Sequence, residues 1–535
     1  MLRKVKHYLC KDCGQEFAYA EKSYQLKGEK GEDRPERCEE CREEHGRGLG
    51  RVKVSYFLSS EEDISASAFN FSQIGHTFHG ERKLKPEEKE ADWSKMRVSI
   101  TAEDIRKFYQ KLKENQVVVV VGQTGSGKST LIPRHLLEPP EGYEGDFTDW
   151  ICHQGQIIVT QPLIAATEFI SQTITEKSGY SSPGKGQIIG YRHGSEIGRE
   201  GEKFDDWNLL GFATDGSLRN WMREGKIGQY SVIMVDEAHQ RTLNIDTLLM
   251  FLKNELAKIP SLKAIISSAT INVEEFVRTF EREGIAVTLF KIPGEKKEKI
   301  YVHYWKDEKP VKNCHCWLCQ SPAKRREFWQ TQRETIKEFE LPEVITNILL
   351  KILEETKEGS ILIFLHGEVA IENTVWRIQE AKKRIDPQNK IPVISVYRRL
   401  GSREVERRFK QKGEKRRIIV ATNIAETSHT LDDIVYIIDS GYIKEATWDP
   451  ETQISTLPSQ YHSQDGCRQR WGRAGRVQDG YIYCLYTKEQ FEKFEVHTPP
   501  EVVRSNLEEV FLVLKTAGLT EIEKLPWVKA PEEEI

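Results

Sequence analysis

Gly122-Gln123-Thr124-Gly125-Ser126-Gly127-Lys128-Ser129 joins three glycines, a lysine and a hydroxyl directly after the β-branched run Val117–Val121. Glycines at this spacing let backbone N–H groups converge on phosphate oxygens at the start of a helix. Lys128 then offers its charge to the β- and γ-phosphates, and Ser129, followed by Thr130, offers a hydroxyl to Mg²⁺. Farther along, Asp236-Glu237-Ala238-His239 follows the apolar run Ser231–Val235. A carboxylate at the carboxyl end of a parallel strand stands where α/β folds keep their ligand chemistry. Asp236 suits Mg²⁺ held through water, and Glu237 suits the orientation and deprotonation of an attacking water. Arg473 and Arg476 stand three apart, one turn if helical, so both guanidiniums can face one transferring phosphoryl group.

Cysteine supplies a second chemistry. Cys10-x2-Cys13 and Cys38-x2-Cys41 each put two thiolates on one tight turn, and two such turns make a tetrahedral zinc site. The surrounding residues, Tyr8–Phe17 and Pro35–Arg42, resemble a small zinc ribbon found mostly in bacterial proteins. Cys314, Cys316 and Cys319 form another cluster, with either His315 or His303 as a fourth ligand. Ten cysteines in 535 residues are too few for a disulfide scaffold, and Cys152, Cys467 and Cys484 are isolated and read as structural.

The elements that must position these groups follow from the apolar pattern. Short β-branched runs recur at 117–121, 157–159, 232–235, 265–266, 361–365, 393–396, 418–420 and 435–438, separated by amphipathic stretches such as Glu343–Glu355. Alternating buried strands and helices indicate parallel sheets covered on both faces. At about 150 residues per domain, this length implies three or four domains. The expected division is a zinc ribbon at 1–50, a linker at 51–97, and one α/β domain at 98–292. A second α/β domain follows at 293–490, with a cysteine-rich insertion at about 308–338, and then a helical segment at 491–535. Net charge is −4 from 79 basic and 83 acidic residues, so a nucleic-acid site must be a local groove. Neither a signal core nor a run of ~20 apolar residues is present, which predicts a cytoplasmic chain with no membrane partner.

With these come Thr160-Gln-Pro162, Thr214-Asp-Gly216, Ser268-Ala-Thr270, Phe364–Gly367, Thr422–Ser428 with Asp439–Gly441, and Gln469–Arg476. Their order resembles the DEAH-box helicases of superfamily 2 over about residues 100–515. The resemblance implies two tandem RecA-like domains with ATP, or another nucleoside triphosphate, bound between them. Single-stranded nucleic acid, RNA before DNA, would cross their tops and move 3′ to 5′. It further implies that His239 couples with the catalytic residues, that Gln469 positions water or phosphate, and that Thr160, Thr214 and Thr422 touch the strand. Ser268–Thr270 would couple hydrolysis to domain motion.

Phe409 matches a base-stacking position, with core packing as its alternative, and Trp471 either packs inward or meets a partner. Gly441–Leu457, turning at Asp449-Pro450, resembles the family's strand-separating hairpin, with plain strand packing as its alternative. Leu163-Ile164 replaces two arginines usual in the family. Arg468 and Arg470 read as solvent-facing. Finally, Val502–Leu514 resembles the start of a winged helix. It predicts an exposed apolar face on which a separate protein docks to complete a clamp around the strand. The rival expectation is an ATP-gated binding or remodelling subunit that does not unwind by itself.

Overall fold

The computed structural model describes strands at 5–9 and 16–20, and residues 100–531 except 123–125, 139–154, 181, 186, 195–201, 205–207, 270–272, 294–298, 308, 331, 333–334, 414–415, 427–430 and 522–524. The chain divides into two units, Met1–Lys83 and Leu84–Ile535. In the first, β1 (Val5–Leu9) pairs antiparallel with β2 (Glu16–Ala20), Leu9 opposite Glu16. Cys10, Cys13, Cys38 and Cys41, and the 51–97 stretch, lie outside the described residues.

The second unit contains two parallel sheets. The first is built from β3 (Val117–Val121), β4 (Gln156–Gln161), β5 (Ile189–Arg192), β6 (Glu202–Lys203), β7 (Leu210–Thr214), β8 (Tyr230–Val235), β9 (Lys263–Ser268) and β10 (Val287–Lys291), in the order β10-β3-β9-β8-β4-β7-β5-β6. The short edge strand β6 runs antiparallel. Five consecutive valines make sense in β3 because both its faces are covered. Val117, Val119 and Val121 enter one core, and Val118 and Val120 the other. Helix 102–114 shows how one cover is set. Thr101 and Asp104 form a reciprocal capping box, and Ile105, Phe108, Tyr109 and Leu112 turn inward. Burial of a side chain such as Phe108 contributes about 2–3 kcal/mol.

The second sheet comprises β11 (Ile300–His303), β12 (Ser360–Phe364), β13 (Val393–Val396), β14 (Ile418–Ala421) and β15 (Ile434–Asp439). The chain then forms a twisted hairpin, pairing β16 (Tyr442–Lys444) with β19 (Ser459–Tyr461) and β17 (Thr447–Asp449) with β18 (Ile454–Thr456). It returns to the sheet as β20 (Gly480–Cys484), giving the order β11-β20-β15-β12-β14-β13. Helices 341–355 and 368–382 cover one face, and helices 402–410 and 464–471 the other.

The C-terminal segment corrects an expectation. Val502, Leu507, Val510, Val513 and Leu514 do not form an exposed docking face. With Trp527 and Val528 they join the core of the first domain beside helices 215–223 and 243–258. Glu501 fixes the docking, because its carboxylate accepts the Leu243 N–H at 2.8 Å and its own N–H donates to the Arg241 carbonyl at 2.9 Å. Arg504 joins the same segment to the hairpin, donating to the Ala446 carbonyl and accepting the Trp448 N–H. Among the described residues, no helix is long and apolar enough to cross a membrane.

Candidate nucleotide site and the adjoining cavity

Three strand ends of the first sheet converge on the glycine-rich loop. Gly127 caps helix 128–137 at φ 89°, and a Cβ there would lie 2.5 Å from Leu131, so glycine is required. Gln123, Thr124 and Gly125 lie outside the described residues. The Gly122 N–H donates to the Ser268 carbonyl, while Lys128 is 4% exposed and donates to the Gly122 carbonyl at 2.5 Å. Burial lowers the Lys128 pKa; Glu237 and Asp236 oppose that shift, and Arg473 adds to it.

Asp236 directly follows β8 and is fully buried. It accepts hydrogen bonds from Ser267 at 2.6 Å, from Gln161 at 2.8 Å and from the Glu237 N–H at 3.0 Å, and the Ser129 hydroxyl also reaches it. Burial, then Glu237, raises its pKa against those hydrogen bonds. A buried carboxylate beside a serine hydroxyl at a helix N-terminus is a donor set that fits Mg²⁺. Glu237 adopts φ 52°, a left-handed conformation costly for a non-glycine residue and met mainly at functional sites. The His239 Nδ1 accepts the Ala269 N–H at 3.2 Å, which leaves its proton on Nε2, 3.3 Å from Glu237. Burial, reinforced by Lys128, lowers the His239 pKa to about 4, so the ring is neutral.

The second domain reaches across the cleft at two points. Gln469 lies beside His239 in the cavity wall, and Arg473, 1% exposed, lies within electrostatic reach of Glu237 and Lys128. Burial first, then Arg476, lowers the Arg473 pKa to about 9, opposed by Glu237 and Glu426. Arg476 lies 3.4 Å from Asp432. Helix 464–471 ends before either arginine, and Gly475 turns the chain at φ 71°. A turn, not helical periodicity, therefore places the pair.

Beside this site a cavity of about 1490 Å³ opens between the domains and the C-terminal segment, meeting the candidate nucleotide site at His239. Leu163, Ile164, Thr214, Arg398, Lys444 and Gln469 line it.

A DEAD/DEAH box helicase family model matches residues 103–278, and a helicase conserved C-terminal domain model matches 344–478. These two stretches hold most of the two parallel sheets and are similar to the two core domains of the DEAD/DEAH-box helicases. It is 32% identical over 424 residues to the ATP-dependent RNA helicase HrpA of Escherichia coli, covering 79% of this chain and 28% of that protein. It is 32% identical to the probable ATP-dependent RNA helicase DHX35 of Pongo abelii, over 80% of this chain and 55% of the relative. For the pre-mRNA-splicing factor ATP-dependent RNA helicase prp22 of Schizosaccharomyces pombe the identity is 30%, over 80% and 32%. The chain thus spans about a quarter to a half of these relatives' lengths. The solved structure of the E. coli DEAH/RHA helicase HrpB shares the fold, with TM-score 0.63 at 23% identity over 81% of this chain and 48% of that one.

Within these two domains several expectations change. Phe409 is 4% exposed and packs with Val405, Ile394 and Ile419, so core packing holds and no open ring face is offered to a base. Thr160 is fully buried and is not exposed toward a strand. Thr214 lines the cavity, whereas on the opposite side the wall among the described residues is Asn423 and not Thr422. Trp471 packs inward, donating to Asp439 at 3.2 Å. Arg470 does not face solvent. It is fully buried between Glu426 at 2.7 Å and Asp439 at 2.9 Å. Thr270 lies outside the described residues. Of the two candidate ligands near the Cys314 cluster, His303 is buried among the sulfurs and His315 is exposed.

Proposed function

We propose that this chain is an ATP-dependent nucleic-acid helicase or translocase acting on single-stranded nucleic acid, RNA before DNA, with 3′-to-5′ polarity. The observation that carries the reading is the approach of Arg473 from one domain to Glu237 and Lys128 of the other. Lys128 and the Gly122–Thr130 loop hold the triphosphate. Ser129 and Asp236 hold Mg²⁺, which when bound neutralises phosphate charge. Glu237 takes the proton of the attacking water, and neutral His239, set between Glu237 and the second domain's Gln469, couples that base to the second domain. Arg473, with Arg476, stabilises the charge that develops on the transferring phosphoryl group. The cavity holds the strand, with Arg398 and Lys444 toward its phosphates.

Zinc belongs to the reading at Cys10, Cys13, Cys38 and Cys41, and at the Cys314, Cys316, Cys319 cluster. Processive unwinding calls for a closed channel, which a separate polypeptide would complete. With Val502, Leu507, Val510, Val513 and Leu514 in the first domain's core, that partner docks elsewhere. Apolar Leu163 and Ile164 in the cavity wall favour a second reading, an ATP-gated subunit that grips nucleic acid weakly and does not unwind alone.

Lys128→Ala is expected to lose nucleotide binding and turnover. Glu237→Gln keeps binding and loses turnover by about 100-fold or more. Unchanged hydrolysis in Glu237→Gln refutes the mechanism, and efficient unwinding of an overhang duplex by the isolated chain refutes the second reading.

A further inference from the structure

His303 ends β11, the edge strand with which the chain enters the second sheet. Cys314, Cys316 and Cys319 lie at the start of the insertion, around the short helix Trp317–Gln320. The three sulfurs and one imidazole nitrogen all lie within 4.8 Å of one another, and His303 Nε2 is 3.5 Å from the Cys314 sulfur and 3.3 Å from that of Cys316. Tetrahedral zinc, with bonds of about 2.3 Å to sulfur and about 2.0 Å to nitrogen, holds its ligand atoms about 3.5–3.8 Å apart. The set therefore needs a contraction of at most about 1 Å to close on the metal.

The surroundings fit a metal as well. The His303 ring is stacked on Tyr483 at 5.4 Å and 19°, which fixes its plane. Arg325, 3% exposed, donates to the Cys319 sulfur at 3.3 Å, an outer contact that favours a thiolate.

The insertion does not end at the cluster. It continues through helix 322–330, whose Phe328 and Trp329 pack at the second-domain core, to Glu338. Glu338 lies 2.6 Å from His366, which follows β12, and accepts a hydrogen bond from Ser459 at the start of the hairpin's return strand. One segment thus runs from the sheet edge to the base of the hairpin.

We propose that His303, Cys314, Cys316 and Cys319 form a zinc site that staples the insertion to the edge strand, and that this staple holds Glu338 on His366 and Ser459, bracing the hairpin. The inference rests on the zinc reading above and adds the histidine ligand and the mechanical role.

The test uses the full chain. Zinc per chain is measured after dialysis against a mild chelator for the wild type, Cys316→Ser, His303→Ala and His315→Ala, with cobalt substitution to report tetrahedral thiolate ligation. Hydrogen exchange is followed at residues 336–341 and 457–461, with 230–236 as an internal reference for intact folding. Cys316→Ser and His303→Ala are each expected to lose one zinc, and His315→Ala none. In His303→Ala, exchange rises at both segments while 230–236 is unchanged. Zinc content unaffected by both Cys316→Ser and His303→Ala overturns the zinc reading itself. Zinc lost in Cys316→Ser but kept in His303→Ala, or lost in His315→Ala, overturns the staple alone. Zinc lost from His303→Ala with unchanged exchange overturns the brace.

Discussion

Replacing Arg470 by methionine keeps the side-chain volume and removes the charge. In the wild type this guanidinium is fully buried, bonded to Glu426 and Asp439, to the Tyr442 carbonyl at 3.2 Å, and seated 4.9 Å over the Phe364 ring. Methionine can fill the place over the ring but leaves two carboxylates in the interior. Breaking a buried pair from one side costs about 3–5 kcal/mol. A second route gives a similar size. Burial pushes the Glu426 pKa up, but His462 and Arg470 outweigh it and hold the carboxyl at about 2. Against an ordinary 4.5, that shift corresponds to about 3 kcal/mol, shared between His462 and Arg470. Because this pKa is lowered on folding, the stabilisation is present above about pH 4.5 and is lost as pH falls toward 2. Arg470→Met should therefore lose about 3 kcal/mol or more near pH 7, and the deficit should shrink below pH 4. Hydrogen exchange of β12 and β15 under native conditions reads the second domain separately from the first. A deficit under about 1 kcal/mol at pH 7, or one that grows on acidification, refutes the reasoning.

Asp215 titrates in the opposite sense. Burial raises its pKa to about 7, against the nearby Thr160 hydroxyl and with help from Asp236, so its neutral form is favoured and stability falls as pH rises from about 4 to 7. Asp215→Asn should flatten that slope in urea unfolding at pH 5 and pH 8, and a retained slope counts against it. Ile164→Arg adds a cation to the cavity wall. It should tighten single-strand binding and steepen the salt dependence by about 0.7 per added contact, read by fluorescence anisotropy across salt. Leu514→Ala opens a void where the C-terminal segment meets the first domain. It should cost about 2–5 kcal/mol and expose the segment to protease, whereas a cost near zero would mean the segment is undocked in solution.

The nucleotide site was legible because its chemistry is local. A strand, a glycine loop and a lysine are contiguous, and Asp236-Glu237 sits at the end of an unmistakable apolar run. What the local sequence leaves open or misleads on depends on distant packing. Nothing near Phe409 distinguishes a core ring from a stacking one, since Ile394 and Ile419 come from other strands. Arg470 looks like any helix-surface arginine until Glu426 and Asp439 are folded against it. Helical spacing paired Arg473 with Arg476, but the helix ends at Trp471 and a turn through Gly475 places both. His303 could be narrowed to one of two histidines, and only β11 pairing beside β20 decides between them. The Glu338 contacts had no sequence signal at all.

The docking of the C-terminal segment bears on how the two domains can move. The chain passes from the first domain to the second between Lys291 and Ile300, and returns between Phe494 and Val502 to finish in the first domain's core. Two covalent crossings leave fewer freedoms than one. A body tethered at two points swings like a door on two hinges, and the line between them becomes its axis. The cleft would then open and shut along one fixed arc, so Arg473 would return to the same place beside Glu237 at each closure. Shear or twist, which a single linker would permit, would have to break the Glu501 and Arg504 bonds first.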